Sequence, residues 1–280
     1  MTDLLTVDDL RLRYPGRGLR AARPEVLRGV SLTIGRGETL GLVGESGSGK
    51  TTLGRAVLGL ATPTGGRIHF EGQDITHVTG RRRRPLAKDI QVIFQDPYSS
   101  LNPAMQIADI LAEPLLAQDT TSADARRTVG RLLDQVGLPS DAAQRYPREF
   151  SGGQRQRVAI ARALALKPKL IVCDEPVSAL DLTTQARVVN LLIEIQRETG
   201  VAYLFITHDL HVVRHISHRI AVMFHGELVE TGTAASVTTD PQHAYTQSLL
   251  LAAPIADPDG QRERRLLRKQ AREAGHTFAR

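Results

Sequence analysis

The stretch Gly44-Glu45-Ser46-Gly47-Ser48-Gly49-Lys50-Thr51 constrains this chain more than any other. An apolar run, Thr39 to Val43, leads into it, and a helical pattern beginning Thr52-Leu53-Gly54-Arg55 follows. Strand, glycine-rich loop and helix form the setting that a phosphate-binding loop of the form G-x-x-x-x-G-K-[ST] requires. Glycines at 44, 47 and 49 let the backbone turn tightly enough for several N–H groups to face one concavity. The helix adds the positive end of its dipole at the same spot. In such a loop Lys50 reaches the β- and γ-phosphates of a nucleoside triphosphate, and Thr51 gives its hydroxyl to Mg²⁺. The residues from Gly44 to Thr52 are thus the candidate nucleotide cradle.

A second constellation supports the first. Leu170-Ile171-Val172-Cys173 is an apolar strand pattern ending in Asp174 and Glu175. P-loop ATPases hold Mg²⁺ with an Asp at such a strand end, and Glu175 is placed to polarise the water that attacks the γ-phosphate. Cys173 reads as a small core residue. Phe150-Ser151-Gly152-Gly153-Gln154 opens a helical run from Arg155 to Leu166. Ser151 and Gln154 fit a capping box, yet two glycines in a first turn weaken a purely structural helix. They suit a helix start approached closely by an anion. Gln95 and His208 each follow an apolar strand pattern, and neither is distinctive alone. Tyr14 either packs on a sheet edge or stacks on a purine.

Along the chain, strand patterns at 4–7, 10–14, 30–34 and 67–70 make the early part antiparallel, with a loop over 15–24. Strand material at 90–94 stops at Gln95-Asp96-Pro97. From there to about 167 we expect a helical insertion, with helices at 107–116 and 123–136. Strand and helix then alternate: 170–173, 183–198, 201–206 and 210–216, followed by a hairpin at 220–224 and 228–230. Parallel strands joined by helices imply a buried α/β sheet. From about 257 the chain is charged and is read as a basic tail, helical or disordered.

The formal charge of +6 is modest and gathers in Arg81-Arg82-Arg83-Arg84 and after Gln261. Apart from Phe278, no aromatic residue is interleaved with either cluster, so solvated surface, an acidic partner or lipid headgroups are favoured over nucleic acid. One cysteine excludes a disulfide or a cysteine-ligated metal cluster within the chain. The acidic start lacks the features of a signal peptide. No run approaches the roughly 20 apolar residues that span a bilayer, so a membrane role is expected to come through a partner.

In order, these residues resemble the ATP-binding cassette family, the ATPase subunits of ABC transporters. The match runs from the loop at 44–51 through Gln95, the signature Ser151-Gly152-Gly153-Gln154, Asp174-Glu175 and Ser178-Ala179-Leu180-Asp181 to His208. It covers residues from about 4 to 254, with Phe150 where many members have Leu. The resemblance implies a RecA-like P-loop NTPase core with an antiparallel β subdomain and a helical insertion subdomain at about 96–167. The cassette would span 1–256, ahead of the tail at 257–280.

It implies further that two cassettes meet head to tail, each ATP lying between one subunit's loop and the other's Ser151-Gly152-Gly153-Gln154. Glu175 would be the base, Gln95 would touch Mg²⁺ and the attacking water, and His208 would contact the γ-phosphate. Asp181 would lie at the dimer seam. The segments 95–103, 145–150 and 243–250 look like the dipeptide, oligopeptide and nickel importer branch, although the cysteine-bearing tail of many branch members is absent. The resemblance thus implies a peripheral subunit on the cytoplasmic face of the membrane. Its partners would be a second, usually different, ATPase, two permeases and an extracytoplasmic solute-binding protein. The segment 95–115 would dock the membrane subunits. A non-transport cassette gated by nucleotide on nucleic acid or ribosomes is the alternative, and an inactive ATP-binding partner is a third reading.

Overall fold

Alternating apolar and polar residues in the first 75 positions build an antiparallel sheet in the computed structural model, which describes residues 3–14, 24–96, 100–118 and 120–252. β1 (Leu5–Arg13) pairs antiparallel with β2 (Glu25–Ile34). After β3 (Thr39–Val43) and α1 (Lys50–Val57), β4 (Gly65–Phe70) and the short β5 (Gln73–Asp74) complete the sheet order β2-β1-β4-β5. The sequence reads as two strands where the structure has the single β1. The cause is Asp9, whose φ of 42° shifts the register between Val7 and Leu10 and leaves two exposed residues in succession. A bulge of this kind breaks the period of two without ending the strand.

After α2 (Arg84–Asp89) and β6 (Ile90–Ile93), the chain enters the insertion, with α3 (Ile107–Leu116), α4 (Ser122–Gln135) and α5 (Gly152–Leu164). It returns through β7 (Leu170–Asp174), α6 (Leu182–Thr199), β8 (Ala202–Thr207), α7 (Leu210–Ile216) and β9 (Arg219–Phe224). β10 (Glu227–Thr233), α8 (Ala234–Thr239) and α9 (Ala244–Ala252) follow. The second sheet has the order β10-β9-β3-β8-β7-β6. All its pairs are parallel except the β9–β10 hairpin.

Every residue of β3 and β8 is buried, as expected for parallel strands covered on both faces. One face packs Leu42, Val172 and Leu204 against the antiparallel sheet through Leu10, Leu12 and Leu27. The other packs Ile171, Cys173 and Phe205 with Ile110, Leu132 and Ile160 of the insertion. Each such side chain contributes about 1.5–3 kcal/mol on burial. The insertion therefore shares its core with the sheet. In the basic run, Arg83 turns inward and donates to the carbonyls of Val57 and Ile75, while Arg81, Arg82 and Arg84 stay exposed. The basic tail at 257–280, most of the loop at 15–24 and Pro97 lie outside the described residues.

Residue 41 sets how closely α7 approaches the sheet. A Cβ on Gly41 would fall 2.0 Å from Val213 Cγ2 and 2.5 Å from Ser217 Oγ. Gly41→Val is therefore expected to lower stability by roughly 1–3 kcal/mol or more, read as a lower denaturant midpoint. An unchanged midpoint would show that α7 is not seated on β3.

Candidate active site

Parallel strands end at the same edge of their sheet, and ligands of open α/β sheets bind there. Here the carboxyl ends of β3, β6, β7 and β8 deliver the loop at 44–51, Gln95, Asp174-Glu175 and His208. The loop leaves β3 at Gly44 with φ 154°, where a Cβ would fall 2.1 Å from the Met223 carbonyl oxygen. Gly49, with φ 111°, caps α1 without any side-chain hydrogen bond, and the first turn carries no acidic residue. The positive end of α1 is thus left for an outside anion.

Lys50 is 5% exposed, and its Nζ donates to the carbonyls of Gly44 and Glu45, both at 2.7 Å, and to Ser48 Oγ at 3.4 Å. Burial pulls its pKa down, against the pull of Glu175, Asp174 and Glu45. The ammonium is held by neutral acceptors while desolvated, so an anion would be a stronger partner. Val26, Ser46, Gly47, Gly49, Thr52 and Glu175 line the small cleft beside it, with Lys50 and Thr51.

Thr51 Oγ1 donates to Asp174 Oδ1 at 2.9 Å. Burial raises the Asp174 pKa, the Thr51 bond opposes the rise, and Glu175 adds to it. A hydroxyl and a desolvated carboxylate side by side are hard oxygen donors. They fit Mg²⁺, which takes one or two protein ligands and completes its shell with phosphate and water. Glu175 joins the two remaining strand ends: its Oε2 accepts from Gln95 Nε2 at 3.2 Å, and its Oε1 lies 3.3 Å from His208 Nδ1. Glu175 has φ 49°, a strain of roughly 1–3 kcal/mol for a non-glycine residue. Its N–H donates to Ile206 at 2.9 Å, and its carbonyl accepts from Ser178 Oγ at 3.1 Å, which holds the turn.

Tyr14 comes to the loop as well, its hydroxyl 3.5 Å from Thr52 Oγ1. The signature residues lie apart. Ser151 caps α5: its Oγ accepts from the Gln154 N–H at 3.3 Å, and Gln154 Oε1 accepts from the Ser151 N–H at 2.9 Å. Gly153 has a packing reason that sequence reading missed, because a Cβ there would fall 2.2 Å from Thr184 Cγ2. Asp181 caps α6 through Thr184 N–H at 3.0 Å, and that bond holds its pKa low. Ser151, Gly153, Gln154 and Arg157 line a second cleft that shares no residue with the cleft at the loop. Gly152 stands at the same helix start, 3.4 Å from Leu180 Cδ2 as measured from a would-be Cβ.

Sequence reading also missed Tyr245, whose hydroxyl accepts from the Glu45 N–H at 2.9 Å. Its segment, 243–250, stood out as a motif without a role.

Known proteins resemble the chain over most of its length. The ABC transporter family profile matches residues 27–178. A glutathione import ATP-binding protein, GsiA of Shigella flexneri, is 50% identical over 269 residues, covering 94% of this chain and 43% of its own length. The chain thus spans less than half of that relative. The oligopeptide transport ATP-binding protein OppF of Lactococcus lactis is 48% identical over 270 residues, 95% of this chain and 85% of its own length. The dimeric structure of the ATP-binding cassette MJ0796, bound to ADP and Pi after hydrolysis, superposes with a TM-score of 0.73 at 28% identity, covering 82% of this chain and 98% of that one. With the profile spanning over half its length, and a relative matched nearly end to end, this chain belongs to the ABC transporter family.

Proposed function

We propose that this chain is an ATP-hydrolysing subunit of an importer for peptides or a related small solute, nickel included. The observation that carries the reading is the convergence of Gln95, Glu175 and His208 beside a phosphate loop whose Thr51 is bonded to Asp174. The glutathione and oligopeptide import proteins at about half identity support the solute class.

ATP binding starts with an exchange. Lys50 leaves the carbonyls of Gly44 and Glu45 for the β- and γ-phosphates, trading neutral acceptors for charged ones. The N–H groups of the loop and of the first turn of α1 would face the same phosphates, with Thr52 at the rim, and Tyr14, whose hydroxyl lies 3.5 Å from Thr52 Oγ1, would stack on the purine. Thr51 and Asp174 would hold Mg²⁺, which neutralises phosphate charge. Glu175 takes the proton of the attacking water as general base. Gln95 and His208 each hold one Glu175 oxygen in the structure, and each oxygen keeps a second lone pair with which to accept from the water. His208 would then turn to the γ-phosphate, and Gln95 to Mg²⁺ and the water.

Ser151, Gly152, Gly153 and Gln154 form a second helix start suited to an anion, in a cleft separate from the loop. We assign it to the nucleotide held by another cassette, with Asp181 at the seam between them. The second cassette is a different ATPase by default and a second copy otherwise. Two permeases, a solute-binding protein outside the membrane and a peripheral position on the cytoplasmic face complete the assembly.

Lys50→Ala is expected to weaken MgATP binding by this chain at least about 100-fold, in line with several lost charge-assisted hydrogen bonds. Ser151→Ala should leave that affinity within about twofold and lower turnover of the assembled transporter about tenfold or more. Titration of the purified variants and phosphate release from the complex measure the two effects. Equal loss of binding in both variants would contradict a site shared between subunits. Glu175→Gln should keep ATP bound and cut turnover about 100-fold or more. Wild-type turnover in that variant would remove the base assignment.

A further inference from the structure

The phosphate loop is gripped from behind by residues some 200 positions downstream. The turn after β9 makes one contact, Gly226 N–H donating to the Ser48 carbonyl at 2.9 Å. Tyr245, in the first turn of α9, makes the other by accepting from the Glu45 N–H at 2.9 Å. Its position is strongly determined. The ring lies on Phe224 at the end of β9, centroids 4.1 Å apart. Just ahead of α9, the Glu230 carboxylate of β10 accepts the N–H groups of Gln242 and His243 at 2.8 and 3.1 Å. His243 Nδ1 accepts the Tyr245 N–H at 3.1 Å.

The peptide that Tyr245 holds is the one joining Gly44 to Glu45. Its N–H meets Tyr245, and its carbonyl meets Lys50 Nζ at 2.7 Å. This group is therefore fixed at both ends. When Lys50 turns to phosphate, the carbonyl end is released and the N–H end keeps its partner. Burial raises the Tyr245 pKa, so the hydroxyl stays neutral and brings no negative charge near the phosphates.

We infer that Tyr245 is a positioning residue for nucleotide binding: from the C-terminal helix its hydroxyl locks the Gly44–Glu45 peptide, keeping the loop in its phosphate-ready shape after Lys50 departs. The inference rests on the nucleotide-binding reading above and adds to it a role for the segment 243–250.

The test compares the full-length wild type with Tyr245→Phe, which keeps the ring, and Tyr245→Ala, which removes it. Amide exchange at Glu45 is followed by NMR without nucleotide, MgATP affinity by titration, and turnover in the assembled transporter. Tyr245→Phe should speed Glu45 exchange and weaken MgATP binding about three- to tenfold, the scale of one neutral hydrogen bond. KM for ATP should rise while kcat holds and the melting temperature stays put. Tyr245→Ala should show the same loss of affinity together with a lower melting temperature. If wild type binds MgATP and Tyr245→Phe binds it equally well, with unchanged Glu45 exchange, the inference is overturned and Tyr245 is a core residue only. If wild type itself fails to bind MgATP, the nucleotide reading falls first.

Discussion

The in-register pairing of β7, β8 and β3 is the constraint on which the site depends. Val43 stands opposite Thr207, and Ile206 opposite Asp174. Parallel pairing brings the three carboxyl ends level, so the residues just beyond them meet although the loop at 44–51 lies more than 100 positions from Asp174 and from His208 in sequence. Glu175 then adds its own N–H to the Ile206 carbonyl, extending the contact one step past the strand. A slip of one residue would turn every side chain of a strand to the opposite face. Burial on both faces makes that slip costly, and the site inherits its geometry from the core.

Within that frame, the electrostatics favour a ligand. Lys50 and Asp174 are both buried enough that their charged forms are disfavoured, and each has only a partial remedy inside the chain. Lys50 uses loop carbonyls and Asp174 uses a hydroxyl. Polyphosphate and Mg²⁺ would supply the missing opposite charges to both at once. The same principle applies at α5, where the Ser151 and Gln154 cap satisfies only part of the first turn.

Most of the fold could be read from the sequence because buried parallel strands are continuous apolar runs and turn residues punctuate them. The helix Leu182–Thr199 was legible as 183–198 with a stop at Gly200, which has φ 69°, whereas the Asp181 cap at its start was not read. The bulge at Asp9 was not, since it interrupts the alternation on which strand reading relies. The phosphate loop was legible as strand, turn and helix because these follow one another directly in sequence. The meeting of Gln95 and His208 on the two oxygens of Glu175 is a tertiary event, and no spacing encodes it. Gly153 looked like a concession to a ligand, but Thr184 packing alone demands a glycine there. Tyr245 was visible as part of a motif, and only the folded chain brings it to Glu45.

The central claim is that one nucleotide site is completed by another subunit. Amide hydrogen exchange at Gly152 to Gln154 tests it most directly, read with and without a non-hydrolysable ATP analogue and Mg²⁺. In the dilute, isolated chain the analogue should slow exchange in the loop at 44–52 and leave Gly152 to Gln154 unchanged. In the assembled transporter it should slow both. Protection of Gly152 to Gln154 in the isolated chain, or its absence from the assembly, would contradict the account.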